Sequence, residues 1–209
     1  MIKLTTPQTI YVVLLVLAVL LIVGLISFLI IKAKYMPHHI KERTYLKLSN
    51  FCQLNDYLLL NNYKINIDDN NVGTIDHIVI SNKFIILIND FALSGVLYGD
   101  YSSDNLSIYN KEGALTTVNP LNYNINLSKR LALFNDLSQD LIKGLVVIDN
   151  ESKVNVSNTN NQFKIIRLCE LRKTIKRFDK ANVKDLKEDD VVRFINYLDE
   201  QNKKHENKI

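Results

Sequence analysis

The strongest constraint on the fold lies between Gly73 and Gly99. Gly73-Thr74-Ile75-Asp76-His77-Ile78-Val79-Ile80-Ser81 is followed by Asn82-Lys83, then Phe84-Ile85-Ile86-Leu87-Ile88-Asn89-Asp90-Phe91, and Gly95-Val96-Leu97-Tyr98-Gly99 closes the stretch. Two β-branched apolar runs around a short polar break predict paired strands joined at Ser81-Asn82-Lys83. A single carboxylate, Asp76, interrupts the first run. An acid inside a buried strand is costly unless a partner or a metal takes it, so Asp76 is the first candidate for chemistry.

Upstream, Ile10 to Ile31 holds no charged residue. At about 1.5 Å per residue this run spans roughly 33 Å, the thickness of a bilayer core. It is too long for a signal-peptide core, and Lys32-Ala33-Lys34 follows it in place of a cleavage site. The expectation is a single uncleaved transmembrane helix. Lys32, Lys34, Lys41 and Arg43 follow the run and only Lys3 precedes it, so the positive-inside rule puts the N-terminus outside and the C-terminal domain in the cytoplasm, at the plasma membrane.

Residues 1–9 then form a short N-terminal segment, 10–31 the membrane helix, 32–39 a juxtamembrane linker broken by Pro37, 40–200 a folded domain and 201–209 a flexible tail. The adjacent His38 and His39 do not face one another on a helix and make a weak metal pair. Leu48, Phe51, Cys52 and Leu58 predict an amphipathic helix over about 40–60. A strand is expected at Tyr63–Ile67, a turn at Asp68–Asn71, and a short strand at Leu106–Tyr109. A helix follows over Asn126–Leu141, then a buried strand at Gly144–Ile148. Asn150–Gln162 reads as a polar loop and Phe163–Leu168 as a last strand. Two final helices are marked by Leu171, Ile175 and Phe178, and by Val191, Phe194, Ile195 and Leu198.

The Ile-Asp-His-Ile-Val-Ile-Ser strand, the apolar strand after it, the Gly-Val-Leu-Tyr-Gly turn and Val118-Asn119-Pro120-Leu121 together resemble the nuclease-related domain NERD, which is similar to the PD-(D/E)xK nucleases. The resemblance runs over nearly all of residues 40–200. It implies an α/β fold of the restriction-endonuclease type, a mixed β-sheet flanked by helices. It also implies a catalytic Asp on the first strand, a Glu-x-Lys on the second and a Gly-Glu near the start of the first helix. The Asp falls on Asp76. Without a gap, the Glu falls on Asn89 and the Lys on Phe91; Lys41-Glu42 stands where Gly-Glu belongs, and Tyr123 or Asn124 where the family has a Gln.

Hydrolysis of a phosphodiester needs a hard cation on oxygen ligands and a polarised nucleophile. This register offers Asp76, the Asn89 amide oxygen and Glu42, with Asp76 and Glu42 as metal ligands. A slip of one residue would turn Asp90 inward. The reading is a degenerate site, a pseudoenzyme that binds nucleic acid or a protein partner. The alternatives are a weak Mg²⁺-dependent nuclease using Asp76 with Asp90 or Glu42, and a structural membrane platform. His77 is expected to alternate away from Asp76. The basic face of Arg172, Lys173, Lys176 and Arg177 is the candidate for nucleic-acid contact, against the commoner reading of a solvated helix face. The formal net charge of +4 decides nothing about partners. Cys52 and Cys169 lack zinc spacing, and no Gly-rich phosphate loop or nucleophile elbow is present.

Overall fold

The computed structural model describes residues 6–35, 40–66, 72–157, 160–181 and 185–206. The chain divides into two units, residues 1–39 and 40–209. Pro37, His38-His39 and the expected turn at 68–71 lie outside the described residues.

In the first unit α1 spans Thr6–Tyr35. No helix among the described residues is long and apolar enough to cross a membrane. This overturns the transmembrane helix expected over 10–31 and the plasma-membrane placement built on it.

The second unit opens with α2 (Ile40–Gln53). Ile40, Thr44, Leu48, Phe51 and Cys52 recur at helical spacing and are buried. The helix ends earlier than its apolar pattern suggests, because Asp56 takes a positive φ of 54°. Leu58, Leu59 and Leu60 then open β1 (Leu58–Asn66). β1 pairs antiparallel with β2 (Val72–Ile80), and β2 with β3 (Ile85–Asp90). The turn between β2 and β3 is closed by Ser81, whose hydroxyl accepts from the amides of Lys83 and Phe84.

After β3 the chain builds a second sheet. β4 (Val96–Asp100), β5 (Asn105–Asn110) and β6 (Gly113–Val118) form an antiparallel meander. α3 (Pro120–Phe134) then leads back to β7 (Ile142–Ile148), which lies parallel to β3. β8 (Lys153–Ser157) pairs parallel with β4, and β9 (Phe163–Arg167) returns to the first sheet beside β7. Helices α4 (Leu171–Asp179) and α5 (Glu188–Glu206) finish the unit.

The expected single mixed sheet is thus corrected to two, a five-stranded sheet ordered β1-β2-β3-β7-β9 and a four-stranded sheet ordered β6-β5-β4-β8. β8 falls in the stretch expected to be a loop. Its Val154 and Val156 alternate with polar residues and pack on the core between the sheets, a two-residue signal too short to outweigh the surrounding Asn and Ser.

The five-stranded sheet is covered on both faces. On one, Val79, Ile86, Ile88, Leu145 and Val147 meet α2 and α4. On the other, Ile78, Ile80, Ile85 and Leu87 meet α3 and α5. Strands buried on both faces read as continuous apolar runs, as β3 and β7 do.

Candidate functional site

The edge of the sheet where β2 and β3 part company gathers the polar residues. Their ladder ends at the pair His77–Ile88. Beyond it the backbone amide of Asp90 donates to the Asp76 carboxylate, at 2.8 Å, in place of a strand partner. Regular alternation breaks at the same level. Ile75 and Ile78, three residues apart, both belong to the cluster under α3 and α5, and Asn62, between the pairs Asn61–His77 and Tyr63–Ile75, has a positive φ of 59°. Strict alternation would have set Asp76 and His77 on opposite faces. The break leaves both reaching groups on the α2 side.

Asp76 is buried, with its side chain 7% exposed, and its second oxygen meets the Lys41 ammonium at 2.5 Å. Lys41 comes from the first turn of α2, so the helix start that should carry the family's Gly-Glu delivers a cation instead. Glu42 lies exposed in the same turn.

Asp90 points to the α2 face as well. Its carboxylate accepts from the Thr44 hydroxyl at 2.6 Å and meets His77 Nε2 at 3.0 Å. His77 Nδ1 lies 2.7 Å from the Asn61 side-chain oxygen. The Asp90 side chain is fully buried and that of His77 is 5% exposed. The second carboxylate is thus locked between a helix and two strands.

Asn89 turns the other way. Its amide nitrogen donates to the Thr74 carbonyl at 2.9 Å, and its amide oxygen is buried without a partner among the described residues. The Tyr123 hydroxyl, from α3, donates to the same Thr74 carbonyl at 3.0 Å. Burial pushes the Tyr123 phenol up, and the nearby Asp76 carboxylate adds to the effect. Phe91 packs against the cores beneath the second sheet. Asn124 is buried and donates to the Leu145 carbonyl.

Asn119 and Pro120 set α3 in place. Asn119 caps the helix by accepting from the Leu121 amide, and its own amide group donates to the Tyr101 and Ser103 carbonyls. Pro120 at the first helical position fits because that nitrogen needs no partner.

Among the described residues no group of three or more His, Cys, Asp or Glu side chains is placed to hold a metal ion. The donor chemistry agrees. Both Asp76 oxygens and both Asp90 oxygens already face hydrogen-bond donors or cations. The Asn89 amide oxygen is one neutral ligand, and a hard divalent cation wants about six oxygens, several of them charged. The residues present do not fit a Mg²⁺ site.

Sequence reasoning picked out Asp76, Asn89, Asp90 and Glu42. The structure brings Asp76 against the backbone of Asp90, turns Asn89 to the opposite side and leaves Glu42 in the outer turn of α2. It adds Lys41 and Thr44, both missed as site residues. Thr44 carried a signal, since it falls on the buried stripe of α2 where an apolar residue is the usual occupant.

A two-faced sheet with a buried Asp at its splayed edge, facing a helix start, defines a nuclease-like α/β module. The chain matches the family model for NERD, the nuclease-related domain, over residues 38–149. It belongs to that family, a nuclease-related domain of the PD-(D/E)xK kind. No curated protein and no solved structure matches it. The family match ends at Asp149, so β9, which completes the first sheet, and helices α4 and α5 lie beyond it.

Proposed function

We propose that this NERD module binds without cleaving, and that Lys41 takes the position against Asp76 that a catalytic site gives to a divalent cation. The observation that carries the reading is the 2.5 Å contact between the Lys41 ammonium and Asp76, with the Asp90 amide on the other oxygen. An ammonium there neutralises the buried carboxylate but polarises no water. Asn89 and Phe91 supply neither the second charged ligand nor the second cation, and a single such electrostatic loss is typically worth about 10²–10³ in rate. With hydrolysis given up, the module's work is recognition, and nucleic acid is the partner its fold points to.

The test is cleavage by the full chain of labelled single- and double-stranded DNA and RNA with Mg²⁺ or Mn²⁺, beside Asp76→Ala and Lys41→Ala. No cleavage by any of the three is expected. Cleavage by the parent that Asp76→Ala abolishes would overturn the proposal.

A further inference from the structure

Helix α4 carries a strongly cationic surface. Arg172, Lys173, Lys176 and Arg177 are all exposed, while Leu171, Thr174, Ile175 and Phe178 are buried. At 100° per residue the four cations share one side of the helix. None of the four forms an ion pair with another described residue. Of the acids nearby, Asp149 pairs with Arg43 and Glu170 with Arg167, Lys173 adding a weaker attraction on Glu170, and Asp179 lies close enough to the Tyr57 phenol to help raise it.

Helix α2 extends the cationic face. The Lys176 ammonium lies 5.9 Å from the centre of the Phe51 ring. Lys47 donates to the Leu168 carbonyl at the foot of α4. Burial lowers the Lys47 ammonium below its usual range, and the Arg172 and Arg43 guanidiniums push the same way, as expected where cations crowd. The formal charge of the whole chain is +4, so without these four cations the remaining charges balance.

We propose that this face, α4 with Lys47 of α2, holds the phosphate backbone of a nucleic-acid duplex. Its four α4 cations lie outside the family match, which ends at Asp149, and the face does not include Asp76. The four cations span about 7.5 Å of helix axis, and phosphates follow one another about every 3.4 Å along one strand of a duplex, so a run of four covers about 10 Å, within reach of these long side chains. The exposed side of α4 offers no aromatic ring. Single strands are held largely by base stacking on aromatics, so a duplex, whose outer surface is phosphate, is the occupant.

The proposal rests on the reading of the chain as a binding module, and its test is kept apart from cleavage by working in EDTA. The full chain is titrated against a fluorescein-labelled 20-base-pair DNA duplex at several salt concentrations. The comparison is between the variant R172Q/K173Q/K176Q/R177Q and a control of equal charge, K111Q/K129Q/K153Q/K203Q. The α4 variant is expected to flatten the slope of log K against log salt by about 3.6, at roughly 0.9 per phosphate contact, with the control near the parent. Single changes Arg172→Gln and Lys173→Gln, each worth about 0.9 of slope, serve if the fourfold variant unfolds. Equal losses in variant and control overturn the proposal, as do tighter binding of the single strand, binding only to vesicles of anionic lipid, or no duplex binding at low salt. Failure here with no cleavage leaves the non-cleaving reading of the Asp76 site standing; metal-dependent cleavage sinks that reading and not this one.

Discussion

Asp90 is where a catalytic and a structural account of the site part most clearly. A metal ligand faces open space and can be removed at little cost to stability, whereas a buried clamp cannot. Here the Asp90 carboxylate accepts from Thr44 at 2.6 Å and meets His77 at 3.0 Å, and its side chain is fully buried. Hydrogen bonds to a charged group are worth about 1.5–3 kcal/mol each, and a stranded buried donor costs about 1–3 kcal/mol. Asp90→Ala loses two such bonds and strands the Thr44 hydroxyl and the His77 ring. We expect a loss of about 4 kcal/mol, or about 8–16 °C in Tm for a domain of this size. Asp90→Asn should cost only about 1–2 kcal/mol, because its carbonyl still accepts from Thr44 while its NH₂ donates to Nε2 of His77. The assay is urea unfolding followed by circular dichroism, comparing midpoints at constant m. A shift under about 1 kcal/mol for Asp90→Ala, with m unchanged, would refute the clamp and return Asp90 to the list of available ligands.

Asn119→Ala removes the α3 cap and the two bonds to Tyr101 and Ser103; unfolding should register about 2–4 kcal/mol lost. Gly144→Ala puts a methyl carbon 2.5 Å from the buried Phe163 ring, an overpacking that should cost about 1–3 kcal/mol in the same assay. Burial pushes the Cys52 thiol up from 9.0 to about 11 and the Tyr63 phenol up from 10.0 to about 12, with Asp199 adding to the latter. A raised folded pKa holds its full stabilisation below the unfolded value and loses it as pH rises through the folded one. Stability should therefore fall between pH 9 and 12, and Cys52→Ala should flatten the first part of that fall, from pH 9 to 11, in unfolding curves taken across the range. Lys41→Ala should leave Mg²⁺ binding undetectable by calorimetry, because Asn89 cannot replace a second carboxylate; clear binding would show that Lys41 alone had kept the cation out.

Much of the second unit was legible in the sequence. The runs around Asn82-Lys83 made β2 and β3, Gly144–Ile148 lay within β7, and the apolar spacing of 171, 175 and 178 gave α4, because these patterns depend only on the local period of helix or strand. Asp76 stood out because a carboxylate in an apolar strand needs a partner wherever the strand goes. Boundaries failed where backbone conformation overrode side-chain pattern, as at Asp56, whose positive φ ended α2 and released Leu58–Leu60 to β1. The apolar run at 10–31 formed a helix, but length and composition carried the membrane reading further than the described helix allows.

What only the tertiary structure decided was who meets Asp76. Lys41 lies 35 positions earlier in the chain, and nothing in local periodicity ties a helix start to the edge of a strand. That contact depends on how α2 packs across the sheet and on the break in alternation at Asn62 and Asp76, which turned Asp76 and His77 to the α2 side. The same holds for the second sheet, where β4 waits for β8, 57 residues downstream, to complete it. Sequence fixes a strand's period by local sterics, whereas its partners are settled by which distant surfaces bury each other.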